Sequence, residues 1–151
     1  LVGTMSDIVW SINPAKDHLS DLTQRMRRFA ADILAARSIR FHFAGSDTAN
    51  ETVIGSNLRR EIFLIFKESI NNVVKHSNAK NVRATLVVAD GRLRLSIEDD
   101  GSGFETAGDN NRTGNGLKSM ERRSREMGGE LSISSKLGGP TIVVAEFPVE
   151  S

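Results

Sequence analysis

Residues 82–101, VRATLVVADGRLRLSIEDDG, decide the fold. Two runs rich in β-branched and apolar residues, Val82 to Val88 and Leu93 to Ile97, flank Asp90-Gly91, a two-residue hairpin signal. In the second run Leu93, Leu95 and Ile97 share one side, and Arg92, Arg94, Ser96, Glu98 and Asp100 share the other. That alternation predicts a sheet with one buried and one solvated face. The next residue in phase with the apolar side is Asp99. A carboxylate on the core side of a sheet is unfavourable unless it is hydrogen-bonded or paired. Gly101 and Gly103 follow at once and allow backbone and ligand to approach closely. A buried carboxylate only accepts hydrogen bonds, so it suits a ligand with an N–H donor, such as the amino group of adenine. The alternative is a strand-end Asp that starts a turn.

Upstream of the hairpin, residues 58 to 76 read as a buried helix, with Ile62, Phe66, Ile70, Val73 and Val74 along one side. Glu68, Asn72 and His76, at i, i+4 and i+8, stack on one helix face, and Lys75 lies beside Asn72. Asn71 is about 100° round from Asn72. An amide oxygen near a carboxylate offers the hard oxygen ligands that Mg²⁺ accepts alongside waters and phosphate oxygens. A solvated face with an ordinary Glu–Lys pattern is the competing reading. Further upstream, Leu19, Leu22, Met26, Phe29, Ala30, Ile33 and Leu34 predict an amphipathic helix from about Asp17 to Arg37, with Asp17 as its N-cap. Ile39, Phe41 and Phe43 alternate with Arg40 and His42 as a strand, and Gly45 to Asn57 read as a loop.

Downstream, residues 101 to 116 are rich in Gly, Asn and Asp and predict a long loop, and loops of that length are commonly functional or disordered. Gly114-Asn115-Gly116-Leu117 open a helix running from about Asn115 to Met127, which stops at Gly128-Gly129. Free N–H groups at such a helix start form an anion site. Two final strands, about Glu130 to Ser135 and Pro140 to Pro148, turn through Leu137-Gly138-Gly139. The order is helix, strand, helix, hairpin, helix, hairpin. It predicts an α+β class, a two-layer sandwich with helices on one face of a mixed, mostly antiparallel sheet.

With 151 residues, the chain suits one domain with a sizeable core. Twenty basic and 19 acidic residues leave a net charge of +1, a balance that gives no field for nucleic acid or an anionic membrane. Without cysteine, disulfide and thiolate chemistry are excluded. No apolar run approaches the roughly 20 residues of a membrane span.

Four segments together resemble the ATP-binding domain of two-component sensor histidine kinases. Glu68-Ser-Ile-Asn-Asn72-Val-Val-Lys75-His76 is similar to the family's N box. Asp99-Asp-Gly101-Ser-Gly103-Phe104 resembles its first glycine box, and Gly114-Asn-Gly116-Leu117 its second. Ser134 to Thr141 resembles the closing glycine turn with its Thr. The motifs follow the family's order over residues 58 to 148.

The resemblance implies the Bergerat fold of the GHKL ATPases, with ATP and Mg²⁺ as ligands. It makes Asn72 the Mg²⁺ ligand and Asp99 the adenine contact, with Gly101 and Gly103 against the base and Thr141 supporting the adenine pocket. Lys75 lies near the phosphates, residues 104 to 113 form an ATP lid, and His76, Phe104, Gly114, Asn115, Gly116 and Leu117 complete the nucleotide contacts. Glu68 and Lys75 are the implied catalytic residues. A Glu at position 68, where many histidine kinases have Asn, is typical of the nitrate-sensor-like subfamily.

The three histidines, His18, His42 and His76, do not sit where the family's phosphoacceptor does, midway along a first dimerisation helix. Residues 1–16 resemble the end of the second dimerisation helix and its linker, and 17–151 the ATP-binding domain. The expected activity is donation of the γ-phosphoryl group of Mg-ATP to a histidine on a dimerisation segment absent from this chain. The implied partners are that segment and a cognate response regulator, in a homodimeric, cytoplasmic kinase end. A nucleotide-gated docking module and an anti-sigma-type protein-serine kinase are the alternatives.

Overall fold

The computed structural model describes residues 18–45, 52–102, 114–135 and 137–149. The expected linker (1–16), the Asp17 cap, and Gly103, Phe104 and the rest of the expected lid lie outside the described residues.

Among the described residues three α-helices and five strands follow one another in the order the sequence predicts: α1 (Leu19–Ala35), β1 (Arg40–Gly45), α2 (Ser56–Asn72), β2 (Asn81–Ala89), β3 (Arg92–Asp99), α3 (Gly114–Glu126), β4 (Glu130–Ser135) and β5 (Thr141–Pro148). The strands form one sheet in the order β1-β2-β3-β5-β4. Only β1 and β2 run parallel, and α2 supplies the crossover that parallel neighbours need. The β2–β3 turn has Asp90 at φ 54° and Gly91 at φ 74°, the left-handed pair of a type I′ hairpin.

The alternation of β3 survives in three dimensions: Leu93, Leu95, Ile97 and Asp99 are buried, whereas Arg92, Arg94 and Glu98 are exposed. Ala84 and Leu86 of β2 and Val143, Ala145 and Phe147 of β5 extend the buried face. The apolar stripes of α1 (Leu22, Met26, Ala30, Leu34) and α2 (Ile62, Ile65, Phe66, Ile70) join them in one core. Edge-to-face ring pairs, Phe29–Phe63 at 5.8 Å and Phe41–Phe66 at 6.3 Å, fill the space between α1, α2 and β1. A Cβ on Gly129 would stand 2.8 Å from Cε1 of Phe147, so only glycine lets the chain leaving α3 pass that ring.

Three local details differ from the sequence reading. The residue that precedes α1 is His18, which makes no side-chain capping bond and instead pairs as a short bridge with Val53, while Leu19 N–H donates to Thr52 O at 2.9 Å. The segment 52–55 is therefore built into the fold rather than looped away, and Ile54 is buried within the core. Helix α2 begins at Ser56, and beyond Asn72 it widens into a π-helical turn, Val73–Ser77, that ends at Asn78 in the left-handed region (φ 52°). No helix among the described residues is long and apolar enough to cross a membrane.

Candidate functional site

At one end of the sheet a row of residues crosses four strands: Val82 pairs with Asp99, Asp99 with Thr141, and Thr141 with Ser135. Asp99 is only 5% exposed. Its Oδ1 accepts a hydrogen bond from Gly101 N–H at 2.8 Å, its one such bond among the described residues. Burial pushes the Asp99 carboxyl above its usual range; the Gly101 N–H opposes the shift, and the neighbouring charges of Asp100 and Glu98 add to it. Thr141 lies opposite and buried, with its Oγ1 2.7 Å from Ser135 Oγ. The loop leaving β3 is tied to the β4–β5 turn by Gly138 N–H donating to Ser102 O.

Asp100, which the alternation assigns to solvent, is exposed and yet heavily bonded. It accepts hydrogen bonds from Lys80 N–H (2.8 Å), Asn81 N–H (2.9 Å) and Asn81 Nδ2 (2.7 Å). It therefore fixes the start of β2, four residues beyond the π-turn, against the strand end that carries Asp99. The Asn81 side chain, then the Asn81 and Lys80 amides, hold the Asp100 carboxyl below its usual range. A carboxylate with a depressed folded pKa stabilises the fold above its unfolded pKa of about 3.9 and loses that contribution as pH falls through the folded value. Water screens this site, so Asp100→Ala is expected to destabilise the domain by about 1 kcal/mol at pH 7. In thermal melts the difference from wild type should shrink below about pH 4; a constant difference down to low pH would contradict the clamp.

The second group lies where α2 meets α3. Glu68, Asn71 and Asn72 are half-buried and Lys75 is exposed. The Nδ2 of Asn72 is buried and has no hydrogen-bond partner among the described residues. A buried amide left in that state calls for an external partner. Glu68 reaches across to the first turn of α3: a Cβ on Gly116 would overlap its carboxyl group, 2.7 Å from Cδ. Two helical turns away, Glu61 Oε1 stands 3.7 Å from Arg123 Nε, so α2 and α3 run antiparallel with contacts seven residues apart on each. Burial raises the Glu61 pKa, with Arg123 and Arg60 opposing.

Glu68 thus meets Gly116 where α2 packs on α3, with Asn72 one turn further along α2, and Asp99, Gly101 and Thr141 share one end of the sheet; Asp100 links the exit of α2 to that strand end. The backbones of His76, Gly114, Asn115 and Leu117 occupy the π-turn and the start of α3, but their side chains lie outside the described residues. Sequence reasoning missed the parts played by Asp100, Asn81 and Ser135. Among the described residues, no three His, Asp or Glu side chains gather as a metal site. The buried Asn72 Nδ2, a donor, fits an acceptor such as a phosphate oxygen, and the oxygen of the same amide is a hard ligand of the kind Mg²⁺ would accept. The buried Asp99 carboxylate, with one of its oxygens bonded only to Gly101, fits a base that offers an amino group.

A histidine kinase domain from a blue-light activated histidine kinase of Erythrobacter litoralis superposes with a TM-score of 0.68 at 22% identity, covering 91% of this chain and 66% of that one. The architecture is therefore that of histidine kinase catalytic domains. The family of histidine kinase-, DNA gyrase B-, and HSP90-like ATPases matches residues 57–151, and the chain belongs to that family. Curated proteins similar to it include sensor histidine kinases. The signal transduction histidine-protein kinase/phosphatase UhpB of Salmonella typhimurium is 39% identical over 89 residues, 59% of this chain and 17% of that protein. The sensor histidine kinase YvfT of Bacillus subtilis is 32% identical over 117 residues, 78% of this chain and 30% of that protein. The chain spans between 17% and 34% of the length of these and similar curated relatives.

Proposed function

We propose that this domain binds Mg-ATP and donates the γ-phosphoryl group to a histidine on a dimerisation segment, as the catalytic part of a two-component sensor histidine kinase. The observation that carries the reading is the buried Asp99 carboxylate at the end of β3, in register with Thr141, within a chain of this ATPase family. Asp99 accepts from the adenine amino group, and Gly101 N–H holds the carboxylate in place for it. Asn72 would hold Mg²⁺, which when bound would offset charge on the phosphoryl oxygens. Lys75, exposed beside Asn72, adds positive charge near the phosphates. The first turn of α3 presents free N–H groups to them.

In the transfer the bond from the γ-phosphorus to its bridging oxygen breaks and ADP leaves with that oxygen. A bond from phosphorus to an imidazole nitrogen forms, and the imidazole gives up a proton. Glu68, held against Gly116, is the carboxylate placed to orient that imidazole or take the proton. The acceptor is a histidine of that dimerisation segment rather than His18, His42 or His76, none of which sits midway along such a helix. A response regulator then takes the phosphoryl group, and the full kinase is a homodimer with this domain in the cytoplasm.

The test is a calorimetric titration of the purified chain with ATP, with and without Mg²⁺, followed by radiolabelled transfer to a separately supplied dimerisation segment. Mg²⁺-dependent binding and acid-labile label on the segment are expected. Acid-stable label would point to serine phosphorylation instead, and binding without transfer to a docking module.

A further inference from the structure

Beside Asp99 the sheet buries a pair of hydroxyls. Asp99, Thr141 and Ser135 occupy one row on neighbouring strands and are 5%, 7% and 8% exposed. Ser135 Oγ and Thr141 Oγ1 stand 2.7 Å apart. A strand does not need hydroxyls here, and burying them is unfavourable unless each is bonded. Two hydroxyls at this distance share a single hydrogen, and either can supply it. If Thr141 supplies it, Thr141 faces the site as an acceptor beside an acceptor carboxylate. If Ser135 supplies it, Thr141 keeps its own hydrogen to donate.

The two directions recognise different purines. The relevant edge of adenine carries an amino donor next to a ring-nitrogen acceptor. A 6-oxopurine carries a carbonyl acceptor next to an N–H donor. An accepting Asp99 next to a donating Thr141 complements adenine and leaves a 6-oxopurine with acceptor facing acceptor and donor facing donor, directly or through a water. Sites built this way discriminate because the wrong ligand leaves buried polar groups unpaired.

We propose that Ser135 is a specificity-determining positioning residue: by donating its hydrogen to Thr141 Oγ1 it fixes Thr141 as a donor beside Asp99, and so favours adenine over 6-oxopurine nucleotides. The proposal rests on the nucleotide reading of Asp99. It assigns Ser135 an effect on which base binds, exerted through Thr141 rather than by touching the nucleotide.

The probes are ATP and ITP, which differ only at the 6-position and the adjoining ring-nitrogen proton. Their dissociation constants are measured by calorimetry for wild type, Ser135→Ala, Thr141→Val and the double variant, with thermal melts of each. Ser135→Ala is expected to lower the preference for ATP over ITP by about five-fold, the worth of one neutral hydrogen bond. In the Thr141→Val background it should change the preference no further. A residue that only packs would weaken both nucleotides alike and leave their ratio unmoved. Ser135→Cys keeps the bulk with a weaker donor and should fall between wild type and Ala, which covers the case of a poorly folded Ala variant. An unchanged ratio in Ser135→Ala or Ser135→Cys, or a further fall in the Thr141→Val background, overturns the proposal. If wild type binds ATP and Asp99→Asn weakens it while Ser135 variants keep the ratio, only the Ser135 assignment fails. If wild type binds neither nucleotide, the nucleotide reading fails and this assignment with it.

Discussion

Asp99→Asn is expected to weaken ATP binding by about 1.5–3 kcal/mol, or about 10- to 150-fold in Kd, because a charge-assisted hydrogen bond to the base amino group is replaced by a neutral one. The amide can still accept from Gly101 N–H through its oxygen, so the strand end should keep its shape. The same change is expected to raise the stability of the nucleotide-free domain at pH 7. Burial lifts the folded pKa of Asp99, so holding it ionised works against folding wherever the unfolded chain would also be ionised. A group raised in this way contributes its full stability below the unfolded pKa of about 3.9 and loses it as pH rises through the folded value. The gain from Asn should therefore be present at neutral pH and vanish in acid. Calorimetry with ATP and melts at pH 7 and pH 3.5 check both halves. A variant that binds ATP as wild type does would remove Asp99 from the base pocket. Loss of binding together with a lower melting temperature at pH 7 would mean that the carboxylate serves the fold instead.

Glu68→Gln is expected to slow phosphoryl transfer by about a hundred-fold or more, the usual worth of a positioned acid–base group, with ATP affinity within about two-fold of wild type. The carboxylate sits against the start of α3, where a side chain on residue 116 would displace it. Gly116→Ala should therefore slow transfer in the same direction and to a smaller extent, since the end of a Glu side chain can swing aside. Initial rates of labelling of the supplied acceptor, measured at saturating ATP, test both roles proposed for Glu68, orienting the imidazole and taking its proton. Transfer at the wild-type rate in Glu68→Gln would exclude both.

Much of the scaffold is written in local pattern. The Asp90-Gly91 hairpin and the alternation ending at Asp99 rest on neighbours one or two residues apart, so the sequence exposes them directly. The α1 and α2 stripes are equally local, and their cores form where the spacing puts them. What stayed hidden depends on distant partners. Asp100 reads as a solvent residue because its three donors come from Lys80 and Asn81, about twenty residues away. Ser135 gains meaning only when the β4–β5 pairing sets it beside Thr141. Ile54 lies in a polar stretch that composition marks as a loop, and only its burial shows otherwise. The π-turn after Asn72 has no periodic signature, since five residues are too few to shift a helical repeat. Gly116 reads as part of an anion-binding helix start, and its close approach to Glu68 is visible only once α2 and α3 are packed.

The position of β5 between β3 and β4 also governs the order in which the sheet can be made. On a ribosome β4 emerges before β5, yet β4 has no partner until β5 arrives and pairs on both its edges. The β2–β3 hairpin, joined by a two-residue turn, can close early, while β3 must wait for partners more than 40 residues downstream, as Asp99 does for Thr141. Such long-range closure slows folding, and it leaves strand edges open in the meantime. Nascent chains halted after Ser135 should therefore be held by chaperones or cleaved, whereas chains released through Pro148 should complete the sheet and the row of Asp99, Thr141 and Ser135 in the same step.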